Sequence, residues 1–440
     1  MTNVDMDITA SEALLERRKN AVANGVGVFN TATVQSAKNA TITDANGNEL
    51  IDFAGGIGVT NAGHCPQPVV DAIIEQAQKY IHTSFNVVTY EPYVALCERL
   101  NELFPHGENT KTMLVSTGAE AVENAIKIAK QSTGRNGVLC FTGAFHGRTM
   151  MAMTLTSRTT YSSNCGPFAP EVYRIDYPAH YLRGKGLSED DFVAQELHRL
   201  SEFFKTTVRA EDLAAIIIEL VQGEGGFHVA PKKYVEGLRQ ICDQYGIRLI
   251  FDEVQTGFGR TAAWGAVDHY TVTPDLSTWA KSMGSGMPIG AIIGNAEVMD
   301  SAAAGTIGGT YIGNPLSCVA SLATIKYMEE IDLNAKAQNV GDIIKSRFLS
   351  MKAKYKEIGD VRGLGAMIAM EFVKNNDPNQ PDADFCGKVI KACAKRDLIV
   401  IGAGVHKNVL RVLSPLTISE ELLNKGLDII EEEIERASAT

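Results

Sequence analysis

The feature that most constrains this fold is the alternation, through the middle of the chain, of short apolar runs with longer amphipathic stretches. Residues 112–115, 138–141, 214–219, 248–251, 276–278 and 291–294 read as strands. They are too short for helices and dense in Val, Ile, Leu and Ala, as strands buried on both faces are. Between them lie helical patterns such as 232–244 and 119–130, the latter with Ala121, Val122, Ala125, Ile126 and Ala129 on one face. Strands separated by helices cannot pair as tight hairpins. They pair in parallel through crossovers that cover the sheet, so the expected class is α/β with a mostly parallel sheet.

The character changes towards both ends. A long helix is expected from about 315, through 317–331, followed by a helix, two strands and a further helix over 420–437. Near the N-terminus, 40–53 reads as a hairpin around Asn46-Gly47-Asn48. The expected division is 1–70 packing with a small domain, 71–330 as the large domain, and 331–440 as the smaller α+β domain. Segment 375–384, dense in Asn, Asp and Pro, is expected to be a flexible loop.

Composition removes several classes of function. With 45% hydrophobic and 21% charged residues over 440 positions, the chain is neither disordered nor fibrous. A net charge of −11 repels a phosphate backbone, so nucleic acid is not an expected partner. The run 213–221 is far too short to cross a bilayer and contains Glu219, so no membrane span is expected. Asp5, Asp7, Glu12 and Glu16 argue against a secretory or transit peptide. Eight cysteines without a C-x-x-C pair read as reduced thiols, and nine histidines show no ligand spacing. A cytoplasmic enzyme without a metal is the expectation.

Three local patterns carry chemistry. Ser116-Thr117-Gly118-Ala119-Glu120 lies where a strand ends and a helix begins, a point that binds phosphate, although the same residues also form an ordinary capping box. Asp252 closes an apolar strand and is aimed at the crevice where α/β folds bind ligands, or is simply a cap. Lys281 follows a further strand and precedes a loop of Ser282, Gly284, Ser285, Gly286 and Pro288. Half-burial there lowers an amine's pKa and frees it for Schiff-base chemistry, whereas a lysine picked blind more often snorkels at the surface. One cofactor, pyridoxal 5′-phosphate, uses all three. Its aldehyde takes the lysine, its ring nitrogen the carboxylate, and its phosphate the helix terminus.

The runs 116–130, 145–149, 219–226 and 252–261, with Ala280-Lys281-Ser282 and Gly308-Gly309-Thr310-Tyr311, resemble the class III, fold-type I pyridoxal-phosphate aminotransferases. The resemblance extends from about residue 44 to the C-terminus and is nearest to the branch that uses 4-aminobutyrate (GABA). One departure is Leu220, where relatives often carry Pro. The resemblance implies that Lys281 bears the cofactor, Asp252 pairs with its ring nitrogen, and Gly118 and Ala119 supply phosphate N–H groups. It places Phe145 and Val254 on the two ring faces and Gln255 at the ring hydroxyl. Thr310 would reach the phosphate of a neighbouring subunit, which implies a homodimer or dimer of dimers.

For substrate, the resemblance points to Arg148 and Arg411 as carboxylate binders, with Glu224 neutralising Arg411 when the substrate has no α-carboxylate. A buried guanidinium needs a partner at all times, so each arginine is expected to require a substitute anion. Ile57 is expected as an aliphatic wall, or as plain core packing. Glu219 is expected near the site or paired for structure, and His146 in a local hydrogen bond. The implied reaction is ping-pong transamination of 4-aminobutyrate with 2-oxoglutarate, giving succinate semialdehyde and glutamate. The alternatives are 5-aminovalerate, acetylornithine or another ω-amino donor, and decarboxylation or amino-group mutation on the same scaffold.

Overall fold

The computed structural model describes residues 9–439, so Asp5 and Asp7 lie outside the described residues. Three short strands open the fold: β1 (Ser36–Lys38), β2 (Thr41–Thr43) and β3 (Glu49–Asp52), paired antiparallel. The turn between β2 and β3 is tied by Asp44, whose Oδ1 accepts from the backbone N–H groups of Asn46 and Asn48, each at 2.8 Å. An acceptor two residues back is what makes this Asp-rich turn close without help from the sheet.

Seven strands follow: β4 (Thr110–Val115), β5 (Gly137–Phe141), β6 (Val172–Ile175), β7 (Leu213–Ile218), β8 (Arg248–Asp252), β9 (Leu276–Trp279) and β10 (Gly290–Asn295). Their order is β4-β10-β9-β8-β7-β5-β6. The run from β9 to β6 is parallel, and β10 is antiparallel to both neighbours. Every residue of β5 and β7 is buried, because helices cover both faces. The sequence did not reveal β6. It is an edge strand of four residues with Arg174 exposed, too short and too polar to register as an apolar run.

The helix Gly118–Thr133 illustrates why the pattern becomes structure. Thr117 caps it by accepting from the Glu120 N–H, and Gly134 ends it at φ 68°, a left-handed turn. All five residues of the expected apolar face are buried.

Beyond helices Pro315–Glu330 and Leu333–Lys354, the two expected strands are β11 (Ile358–Leu364) and β12 (Met367–Phe372). The chain then differs from expectation. Helix Ala383–Ala394 and strands β13 (Leu398–Ile399), β14 (Ile401–Ala403) and β15 (Val409–Val412) precede the final helix Glu420–Ser438. Strands of two to four residues leave no countable alternation; β13 and β15 depend on distant partners, and β14 on a short hairpin with β15. β11, β12, β15 and β14 form an antiparallel sheet, while β13 pairs in parallel with β3 across 347 positions, Leu398 opposite Ile51. Phe53, fully buried, rests against Gly426 of the final helix, where a Cβ would lie only 2.3 Å from its ring. Of the expected loop 375–384, residues 375–382 are a surface loop pinned at Asp377, which accepts from the Asn379 N–H and Gln380 Nε2, while Ala383 and Asp384 already begin the helix capped by Asp382.

Among the described residues no helix is long and apolar enough to cross a membrane, and no cluster of His, Cys, Asp and Glu is arranged to hold a metal. All eight cysteines are free, five of them buried.

Candidate active site

Adjacent parallel strands end at one place. Glu219 follows the last residue of β7, Asp252 is the last residue of β8, and Lys281 comes two positions after β9. Their side chains line a cavity of about 470 Å³ at the carboxyl edge of the sheet, where a parallel α/β fold leaves its ligand crevice. The cavity also brings together Ile57, Gly118, Ala119, Phe145, Arg148, Glu224, Val254, Gln255 and Arg411. Of the residues singled out from sequence, only Thr310 lies elsewhere, exposed on a loop of its own chain.

Asp252 is held from three sides. His146 Nδ1 stands 2.6 Å from Oδ2, while Thr278 Oγ1 and the Val254 N–H donate to Oδ1, each at 3.1 Å. Burial pushes the His146 imidazole towards neutrality, but the Asp252 carboxylate outweighs it and the pKa is raised. The bland expectation for His146 is therefore too modest. Its local hydrogen bond is to the carboxylate proposed for the cofactor, and it fixes the direction of that group.

Lys281 is half-buried and adopts φ 50°, a left-handed conformation unusual for a residue with a side chain. Such strain persists where surrounding packing over-determines the backbone, as at sites of function. Desolvation brings its pKa down to about 8, despite the opposing pull of Glu224. A substantial fraction of the amine is then neutral near physiological pH.

Glu219 is buried and accepts from the N–H groups of Phe145, at 3.1 Å, and Gly223, at 3.0 Å. Burial raises its pKa to about 7. It lines the cavity and ties down the two loops that carry Phe145 and Glu224. Ile57 also stands at a left-handed φ of 67°. Asp52 supports its loop by accepting from Ala54 and Gly55 N–H groups at 2.9 Å. Gly55 is required there, since a Cβ would lie 2.2 Å from the Leu413 carbonyl oxygen.

The residues present fit pyridoxal phosphate. As the first two helical residues, Gly118 and Ala119 have no intrahelical acceptor for their N–H groups, while Thr117 and Glu120 complete the cap around them. The expected cap is therefore present, and it leaves these two N–H groups available to an anion in the cavity. A Cβ on Gly118 would meet Val254 at 2.9 Å, so the floor stays open only for glycine. Gln255 is buried with its Oε1 lacking any hydrogen-bond partner, an acceptor awaiting a donor in the cavity.

Arg411 is buried at 2% exposure, and its Nη2 lies 2.6 Å from Glu224 Oε1. Its Nη1 also donates to the Gly223 carbonyl at 3.1 Å. Burial alone would raise the Glu224 pKa, but Arg411 dominates and holds it below the usual value. Arg148 departs from expectation. It is exposed, makes no ion pair among the described residues, and lies 4.6 Å over the Tyr161 ring. Water solvates it, so it needs no substitute anion. Only the buried arginine carries one.

Sequence reasoning missed Tyr161, Arg158 and Thr278. Tyr161 lines the cavity and packs edge-on against Phe145, with ring centroids 5.1 Å apart. Arg158 approaches Glu224 Oε2 at 3.6 Å. Both belong to a loop with no periodicity, and only the neighbouring Phe145–Thr149 motif hinted at it.

Comparisons with known proteins identify the family. The family model described as Aminotransferase class-III matches residues 21–434. The 5-aminovalerate aminotransferase DavT of Pseudomonas putida is 47% identical over 96% of this chain and 98% of its own. The 4-aminobutyrate aminotransferase GabT of Escherichia coli is 45% identical over the same shares. Among solved structures, an amine transaminase from an uncultivated Pseudomonas species, in its PLP-bound form, superposes with TM-score 0.85 at 28% identity, over 93% of this chain and 94% of that one. With the family model spanning most of its length and these relatives at 45–47% identity, this chain belongs to the class-III aminotransferases.

Proposed function

We propose that the enzyme transaminates 4-aminobutyrate with 2-oxoglutarate, releasing succinate semialdehyde and glutamate in a ping-pong cycle. The observation that carries this reading is the buried Arg411–Glu224 pair beside Lys281, with Arg148 left uncommitted in the same cavity. An ω-amino donor presents one carboxylate and glutamate two. Arg148 takes the carboxylate common to both. Arg411 keeps Glu224 for the first substrate and releases it for the α-carboxylate of the second.

The cofactor is pyridoxal 5′-phosphate, which when bound supplies an aldehyde that captures amines and a ring that takes up the electron pair of a broken C–H bond. The roles of the side chains follow from their chemistry. Gly118 and Ala119 N–H groups bind the phosphate at a positive helix end. Asp252, held by His146 and Thr278, keeps a proton on the ring nitrogen. Phe145 and Val254 clamp the ring faces, and Gln255 Oε1 accepts from the ring hydroxyl. Lys281 holds the cofactor between turnovers and, as a neutral amine, carries the proton from one carbon to the next. Ile57 borders the donor's methylene chain, and Glu219 keeps Phe145 in place.

Thr310 enters this reading as a contribution to the phosphate site of a second subunit, in a homodimer or dimer of dimers. Its exposure on a loop away from its own cavity supports that role. The three-part division at 70 and 330 is supported by the separate sheets, with β13 tying the N-terminal strands to the C-terminal part. A cytoplasmic location is supported by eight unpaired thiols.

A second reading, 5-aminovalerate as donor, is favoured by the 47% identity to the Pseudomonas putida enzyme. One methylene is worth only about 1–3 kcal/mol in a pocket, so the two donors differ little in binding. The test is a donor panel with 2-oxoglutarate as acceptor, scoring glutamate from 4-aminobutyrate, 5-aminovalerate, ornithine and acetylornithine. The highest kcat/KM is expected for 4-aminobutyrate. A preference for 5-aminovalerate selects the second reading, one for acetylornithine or ornithine overturns both, and carbon dioxide release would indicate a decarboxylase.

A further inference from the structure

Glu224 must go somewhere when a substrate carboxylate takes its place on Arg411. It is largely buried, with 12% of its side chain exposed, so water alone does not compensate a displaced carboxylate. Apart from Arg411, one guanidinium stands within ion-pair distance of Glu224 among the described residues. Arg158 Nη1 stands 3.6 Å from Glu224 Oε2, the carboxylate oxygen that Arg411 Nη2 does not hold, and Glu224 is the only carboxylate within ion-pair distance of Arg158 among the described residues. The Arg158 guanidinium is 17% exposed and lies 5.6 Å from the Tyr161 ring, which fixes its direction. At 3.6 Å the contact is an ion pair but not a hydrogen bond. A shift of under an ångström converts it into one.

Resting on the two-state reading of Glu224 above, we propose that Arg158 is the receiving partner for the displaced Glu224 and so a specificity-determining residue for dicarboxylate substrates. In the resting arrangement Glu224 bridges two guanidinium groups and favours Arg411, where its bond is short. A substrate α-carboxylate on Arg411 tips the bridge towards Arg158. The exchange then replaces one charge-assisted hydrogen bond by another, and no charge is left alone in the cavity wall. The residue is not a substrate ligand. It acts through Glu224.

The experiment compares Arg158→Gln, Arg158→Lys and the parent holoenzyme in two single-turnover half-reactions, with glutamate and with 4-aminobutyrate. Binding of two unreactive probes, glutarate and butyrate, is measured alongside by calorimetry. Glutarate needs Arg148 and Arg411 together, butyrate Arg148 alone. The ratio of glutamate to 4-aminobutyrate rate constants, each divided by substrate affinity, should fall at least about tenfold in Arg158→Gln, the Kd of glutarate should rise by a similar factor relative to butyrate, and Arg158→Lys should restore part of both. Equal losses with both substrates would mean that Arg158 acts through Tyr161 and Arg148, and would overturn the proposal. So would an unchanged ratio. Glu224→Ala keeps this failure distinct from failure of the two-state reading. In that background Arg158→Gln should no longer alter the ratio, whereas a Glu224→Ala enzyme that already treats both halves alike refutes the two-state reading itself.

Discussion

Truncating Glu224 to alanine tests the charge logic of the site directly. In the folded enzyme Arg411 is buried, with Glu224 as its only ion-pair partner among the described residues and the Gly223 carbonyl as a neutral second acceptor. Removing one member of a buried pair costs about 3–5 kcal/mol. The retained carbonyl bond at 3.1 Å and the 12% exposure of the Glu224 side chain reduce that figure. About 2 kcal/mol is the reasonable value, equivalent to about thirtyfold in a rate or binding constant. That loss should fall on the 4-aminobutyrate half-reaction, in which Arg411 has no other anion. Glutamate brings its own α-carboxylate and need not displace a resident one, so its half-reaction should change less than about threefold. The assay is rapid-mixing absorbance of the bound cofactor, one half-reaction at a time, across substrate concentration. Equal losses in both halves would refute the argument and make Glu224 a structural residue.

Lys281→Ala should abolish turnover and remove the visible absorbance of lysine-bound cofactor, since no other lysine among the described residues lines the cavity. Loading of cofactor onto the stripped parent enzyme should accelerate with pH around a midpoint near 8, the lowered pKa of this lysine, and a midpoint near 10.5 would refute the desolvation argument. The same shift has a sign for stability: between about pH 8 and 10.5 the unfolded chain holds a proton that the folded one has lost, so this group favours the folded apoenzyme increasingly as pH rises through that window, as thermal melts would show. Asp252→Ala should still bind cofactor but lose about 10²–10³ or more in kcat, the scale of one group aimed at developing charge, and parent-like kcat would end the assignment.

The chain's own pattern determined a good deal. Apolar runs bounded by helices specified the parallel strands from β5 to β9, because burial on both faces leaves a continuous hydrophobic signature. Strand ends followed by Asp252 and Lys281 located the cofactor chemistry, since a parallel sheet presents all such ends to one crevice. What pairing decides was not legible: β6 at an edge, β13 and β15, which distant β3 and β12 align, and the three-residue β14, paired in a local hairpin with β15. The electrostatics were equally a matter of three dimensions. Arg148 and Arg411 are the same residue type, yet one is solvated over Tyr161 and the other is buried against Glu224. His146 and Arg158 gained their meaning from partners 106 and 66 positions away, Asp252 and Glu224. A residue type states which charge or hydrogen bond is available. Only the fold fixes what surrounds it, and the surroundings set its desolvation and its partner.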